Sequence, residues 1–222
     1  MISQSVMKEV KRIPTIQINR KKLDRKNQLI DIALELFATN GFEGTKISDI
    51  VAAADVSQGT FYWYFKSKES IVIEIILLSG KELLQVVGQG YRTTGGTVQD
   101  SVDASRNLFV QLFTFAEKNR YFMEILCKGM HFQPAIQQEL DAIRSDIHHA
   151  FTKNIKRARE LQILPDITYP ERKAAFLLSL VEGVITRWLI DQEKGESTFE
   201  GMTPEELAEE MVTFEFYGLM GI

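Results

Sequence analysis

Cysteine occurs once in the 222 residues, at Cys127, so the chain cannot close a disulfide on itself, and this usage fits a reducing compartment. Proline occurs five times, and no strand-hairpin spacing is present, which argues against an all-β fold. Long apolar runs are missing as well. The longest, Ile71 to Leu78, is interrupted by Glu74 and falls short of the roughly 20 residues that cross a bilayer. The N-terminal MISQSVMKEVKRI places charge where a secretory signal needs an apolar stretch, so a cytoplasmic protein with no membrane partner is expected. The chain also lacks a phosphate loop, HExxH, GxSxG and paired Glu-x-x-His segments. No catalytic residue, metal or cofactor is therefore expected, and the chain is not read as an enzyme.

What is present is an ordinary globular composition, 45% hydrophobic and 25% charged, with a lopsided charge distribution. Residues 1–68 carry 11 Lys and Arg against 7 Asp and Glu, a net of +4, while residues 69–222 carry 15 against 23, a net of −8. A basic head on an acidic body suits a protein that offers one end to a polyanion. Six of the eleven cations precede Leu23, in a stretch with no helical period. Residues 1–23 read as a flexible basic arm, either a solvated tail or a segment able to follow a minor groove.

From Asp24 onwards the apolar residues fall at helical spacing, and the chain reads as all-α with about nine helices. Leu29, Ile30, Ala33, Leu34 and Phe37 mark a first helix near 24–39, closed by Asn40-Gly41. Thr45 is placed to cap a short second helix with Ile47, Ile50, Val51 and Ala54 on one face, and Ser57 to cap a third from Gln58 to Tyr64. A fourth helix starts at Ser67 and runs to about Val87, where a glycine-rich stretch breaks it. Apolar periods after residue 100 give a fifth and a sixth helix. Pro134, Pro170 and Pro204 open the seventh, eighth and ninth, with the eighth reaching about Gln192 and Thr203 and Glu206 forming a capping box on the ninth.

Two short helices joined by a tight turn pack only if the facing residues are small or apolar, and Ala52, Ala53, Ala54, Val56 and Phe61 meet that need. Residues 45–68 therefore read as a helix-turn-helix. The third helix opens with Ser57, Gln58, Gly59 and Thr60, whose short side chains and open backbone suit entry into a major groove. Gln58 is the best candidate base reader, because its amide donates and accepts at once, as adenine N6 and N7 require. Phe61 and Phe65, four residues apart, belong to the core. That leaves Tyr62 and Tyr64 to point outward to phosphate, with Lys66 and Lys68 clamping the same backbone.

The run GFEGTKISDIVAAADVSQGTFYWYFKSKES, preceded by RKNQLIDIALELFATN, resembles the DNA-binding domain of the TetR (tetracycline repressor-like) family over about residues 24–75. The resemblance implies a three-helix head over 24–68, joined by a linking helix to a helical bundle over 69–222 that binds an effector and forms a homodimer. It implies DNA contacts from Thr45, Lys46 and Ser48 on the second helix, from Ser57, Gln58, Gly59, Thr60, Tyr62 and Tyr64 on the third, and from Lys68. Trp63 stands where Tyr is commoner in that family and is left out of base reading. The implied partners are a palindromic double-stranded DNA operator, a second copy of the chain and a small-molecule effector that releases DNA.

In the bundle the residues carry tendencies only. Phe109, Phe113, Phe122, Met123, Met130 and Phe151 form aromatic and Met rows that serve either as core or as the lining of a mostly apolar pocket. Cys127 and His131 share a helix face and read as packing or pocket lining, since zinc normally needs three or four protein ligands. Glu182 lies in the apolar stretch LLSLVEGVITRWLI, where an unpaired carboxylate is costly; it either orients a cationic or hydrogen-bonding ligand or sits at a wet or intersubunit edge. Phe176, Leu177, Leu180, Val184, Trp188, Phe214 and Tyr217 on the last two helices suit a four-helix interface with a symmetry mate.

Overall fold

The computed structural model describes residues 13–89, 96–128, 134–162, 168–191 and 198–218, with side chains from Asp24 onwards. All regular structure among these residues is helical, so the all-α expectation holds. The chain divides into two compact units, Met1–Ile75 and Ile76–Ile222.

In the first unit α1 spans Ile13–Gly44, α2 Ile47–Ala53 and α3 Gln58–Tyr64, and α4 begins at Lys68. The first helix starts well before the expected Asp24, taking in the second half of the stretch read as a flexible arm. The reason is local: Gln, Arg, Lys and Leu between Gln17 and Lys26 are good helix formers, and Pro14 sits where a missing N–H costs nothing. Residues 1–12 of that arm lie outside the described residues. Near its other end α1 is broken at Gly41, with φ 74° and ψ 162°, a region open essentially to glycine alone. Leu29, Ala33, Phe37, Ile50, Phe61 and Ile71 are fully buried and form the centre of this unit. Each contributes roughly 1.5–3 kcal/mol through burial of a large side chain, less for the alanine.

In the second unit α4 continues to Gly88, followed by α5 Val98–Lys118, α6 Arg120–Lys128, α7 Pro134–Glu160, α8 Pro170–Ile185 and α9 Pro204–Tyr217. Capping boxes fix the starts of two of these: Asp100 accepts from the Thr97 N–H at 2.8 Å, and Glu206 from the Thr203 N–H at 2.8 Å. Helix α5 packs along α9, where Ser105 donates to the Glu215 carboxylate and Arg106 donates to Glu209 at 2.6 Å. Helix α7 packs along α8, where Lys156 pairs with Glu171 at 2.6 Å. The eighth helix does not stay α-helical to its end: Thr186–Ile190 form a π-helical turn in which the Asp191 N–H bonds the Thr186 carbonyl at 2.9 Å. The wider turn lets three consecutive residues, Trp188, Leu189 and Ile190, all face inward.

Helices α4 and α7 meet at Gly80. A Cβ placed there would lie 2.4 Å from Ile143 Cδ1 and 3.0 Å from its Cγ1, so the missing side chain is what lets Ile143 seat on α4. Gly80→Ala gains helix propensity of about 1 kcal/mol but suffers overpacking of about 1–3 kcal/mol, and is expected to lower stability. Ile143→Val removes the colliding Cδ1 methyl. In a double-mutant cycle by urea denaturation it should be less costly in the Gly80→Ala background than alone, by about 1 kcal/mol; additive effects would show that the two helices are not in this contact.

Candidate nucleic-acid interface and ligand crevice

The short helices of the head have locally determined ends. Helix α2 starts where the Asp49 carboxylate accepts the Lys46 N–H at 2.8 Å. The turn after it places Asp55 at φ 51°, a left-handed conformation that Asp tolerates. Ser57 caps α3, its Oγ accepting the Thr60 N–H at 3.2 Å and lying 3.1 Å from Thr60 Oγ1. Phe61 and Phe65, ring centroids 5.6 Å apart, bury one side of α3. The opposite side is open: Gln58, Gly59, Tyr62, Trp63 and Lys66 are exposed, Tyr62 by 54% and Trp63 by 60%, and Lys46 and Ser48 are exposed at the start of α2. Large aromatics left out together mark an interaction surface.

Gly59 belongs to this open side. A Cβ built on it would meet only Ser57 Oγ, at 3.6 Å, an ordinary contact. Nothing among the described residues demands glycine there.

Two of the expected contact residues are used internally instead. Thr45 is fully buried, and its hydroxyl lies 3.1 Å from the Leu36 carbonyl and 2.9 Å from that of Gly41, so it fastens α2 to the end of α1. It is not the cap of α2; Lys46 holds that place. Lys68 donates its ammonium to the carbonyls of Phe42 at 2.6 Å and Thr45 at 3.0 Å, and sits 4.1 Å from the centre of the Phe42 ring. A cation so engaged ties the start of α4 to the α1–α2 turn. A third cation, Lys26, is likewise committed, to Glu74 at 2.6 Å. Tyr64 is half-buried with its ring edge-on to Trp63 at 4.5 Å, so Trp63 takes the outward place that the sequence reading gave to Tyr64. The signal was available: Trp63 is four residues from Gly59 and lies off the Phe61–Phe65 face. Ala52 and Ala53, read as joint residues, are also exposed, and Ala54 alone of the three is buried.

In the second unit, α4, α5, α6, α7 and α8 line a narrow crevice with a cavity volume of about 20 Å³, room for little more than one water. Met123, Phe151 and Glu182, three of the expected pocket residues, line it. Phe109, Phe113 and Phe122 do not: they are fully buried, with Phe109 stacked on Phe113, Phe113 edge-on to Trp188 and Phe122 edge-on to Phe115. Leu83 and Val87 of α4, Leu112 of α5, Leu126 of α6, Ile147 of α7 and Leu178, Val181 and Ile185 of α8 complete the walls and were missed, because a wall is shared among helices far apart in sequence. Cys127 does not line the crevice. Burial pushes its thiol up to about 11, partly countered by a hydrogen bond with Thr186, so it is protonated at neutral pH and a poor nucleophile. Met130 and His131 lie outside the described residues.

These features match known proteins. Residues 29–75 fit the family model described as bacterial regulatory proteins, tetR family. Over 172 residues the chain is 24% identical to the HTH-type transcriptional regulator AcrR of Shigella flexneri, covering 75% of this chain and 79% of that protein. Residues 29–75 belong to the tetR family of bacterial regulatory proteins. The chain is a DNA-binding transcriptional regulator. Two solved structures share the TetR-family fold with it. The fatty acid degradation regulator FadR of Bacillus halodurans has a TM-score of 0.72 at 15% identity, over 88% of this chain and 96% of that one. FadR of Bacillus subtilis, solved in complex with stearoyl-CoA, has 0.68 at 16%, over 88% and 98%. Among the described residues, no helix is long and apolar enough to cross a membrane.

The split between inward and outward cations in this TetR-family head has measurable consequences. Lys68→Met should lower the unfolding free energy by about 1.5–3 kcal/mol, the span for hydrogen bonds to a charged group, in chemical denaturation; an unmoved midpoint with weaker DNA binding would return Lys68 to phosphate contact. Lys66→Ala should leave stability unchanged and reduce the salt slope of DNA binding by about 1. Gly59→Ala is expected to raise the melting temperature slightly, through helix propensity of up to about 1 kcal/mol, while weakening DNA binding in fluorescence anisotropy.

Proposed function

We propose that the protein is a ligand-responsive repressor that binds a palindromic operator as a homodimer and is released by a small, mostly apolar effector. The observation that carries this reading is the coexistence of an open recognition edge on α3 with an apolar crevice in the other unit, two of whose walls, Leu83 and Val87, belong to α4. Helix α4 begins at Lys68 in the first unit and ends at Gly88 in the second. A ligand that enters the crevice displaces α4, and the two recognition helices of the dimer leave the spacing of about 34–36 Å that successive major grooves require. Ligand and DNA then disfavour one another reciprocally.

On DNA, Gln58 and Thr60 read bases, and Ser57, Gly59, Tyr62, Trp63, Lys46, Ser48 and Lys66 hold the backbone. Ser57 and Thr60 share their hydroxyls with one another, which presents them at a fixed angle. An apolar effector is supported by the crevice walls, and a protein of the same fold is solved in complex with stearoyl-CoA.

The homodimer reading rests on α8 and α9. Phe176 is 71% exposed on α8, with Leu177 and Leu180 half-exposed beside it, and Phe214 and Tyr217 are exposed on α9. Apolar groups left outward on two helices suit burial against a symmetry mate. Val184 and Trp188, first grouped with them, are buried within the subunit, and the Trp188 indole N–H bonds the Met202 carbonyl at 3.0 Å.

The test is a mobility-shift series on operator fragments selected from random DNA. Tyr62→Ala should weaken binding at all sequences, and Gln58→Ala should relax preference at one base position per half-site by about 1–3 kcal/mol. Phe176→Glu should shift the particle towards a monomer in sedimentation analysis and weaken operator binding with it. Selection of unpaired half-sites, or a Phe176→Glu protein that stays dimeric, would overturn the palindromic-dimer reading.

A further inference from the structure

The head holds a guanidinium whose charge the protein itself does not use. Arg25 is exposed on α1, and its Nη1 donates to the Gln28 side-chain oxygen at 2.7 Å. Gln28 in turn donates from its amide nitrogen to the Ala54 carbonyl at 3.3 Å. Both ends of that amide are engaged, so its orientation is set: turned over, it would put donor against donor and acceptor against acceptor. Among the described residues Arg25 has no carboxylate partner. Lys26 is committed to Glu74 and Lys68 to two carbonyls, whereas a neutral amide fixes Arg25 without cancelling its charge. Its Nε and Nη2 keep their N–H groups for another acceptor.

The place of this guanidinium matters as much as its charge. Helix α1 begins at Ile13, about three turns before Arg25, so the residue projects from a helix interior and not from a fraying end. Ala54 closes α2, and Ser57 caps α3. The relay from Arg25 through Gln28 therefore anchors on the turn that leads into the N-terminal end of α3, where Ser57, Gln58 and Gly59 are exposed. When that end enters a major groove about 12 Å wide, a cation beside it stands near the phosphates of a bordering strand. The planar fork of a guanidinium matches two phosphate oxygens.

We infer that Arg25 is a DNA-backbone contact outside the helix-turn-helix, donating Nε and Nη2 to a phosphate that borders the groove, and that Gln28 is its positioning residue. The contact holds register and reads no base. It depends on DNA binding, and neither on the symmetry of the operator nor on an effector.

Fluorescence anisotropy of the full-length protein across a salt series tests this on two probes, a random-sequence duplex and a duplex selected from random DNA. Arg25→Gln should weaken both by similar factors, on the order of tenfold, and reduce the salt slope by about 0.9 per bound protomer. Arg25→Lys should keep the slope and lose part of the affinity, because an ammonium retains the charge without the fork. The melting temperature should stay unchanged in both, since the Arg25–Gln28 pair is exposed. Gln28→Ala should weaken binding less in the Arg25→Gln background than in the native one, a coupling that loss of the bond to Ala54 alone would not produce. An Arg25→Gln protein with unchanged affinity and slope on the random-sequence duplex would overturn the contact. So would a loss confined to the selected duplex at an unchanged slope, which marks base reading. Equal losses from Gln28→Ala in both backgrounds would overturn the positioning role.

Discussion

The head depends on one half-buried ammonium. Lys68 stands at the first position of α4 and reaches back to two carbonyls in the turn between α1 and α2, over the face of Phe42. The Gly41 break redirects the chain just before those carbonyls, and Thr45 pins the same turn from the other side. Without a cation there, the Thr45 carbonyl would lose this donor and the Phe42 carbonyl would keep only the Thr45 N–H at 3.4 Å, at a cost of about 1–3 kcal/mol in all. With it, the end of α1, the start of α2 and the start of α4 are held by a single group.

That constraint explains how so short a pair of helices presents a defined surface. Helices α2 and α3 have seven residues each, too short to be stable alone. Their positions come from Phe61 and Phe65 packed inward, from the Gln28 side chain donating to the Ala54 carbonyl at 3.3 Å, and from Lys26 paired with Glu74. Cations spent on holding the head are unavailable to DNA. The outward positive charge on the open edge is carried by Lys46 and Lys66, and the rest of that edge is aromatic and amide. Such a surface relies on shape and hydrogen bonding beyond simple charge attraction.

The second unit follows a different logic. Its Phe-rich centre is packed, and α4 to α8 leave a narrow crevice among them. The Gly80–Ile143 contact sets the separation of α4 from α7 one to two turns away from the crevice residues Leu83, Val87 and Ile147.

Much of this was legible in the chain itself. The break at Gly41, the cap at Ser57, the box at Thr203 and Glu206, the proline-led helix starts and the buried Phe61–Phe65 face all follow from local preferences, since each is decided by residues within about one turn. What tertiary structure alone decided is where a polar or aromatic side chain ends up once several helices compete for it. Lys68 and Thr45 turned inward because carbonyls 23 and 9 residues away needed donors. Trp188 went into the subunit because a π-helical turn rotated it inward. Phe109, Phe113 and Phe122 became core, while Leu83 and Leu178 became wall. Periodicity tells a residue which face of its own helix it occupies; only the packing of the other helices determines whether that face meets protein, cavity or solvent.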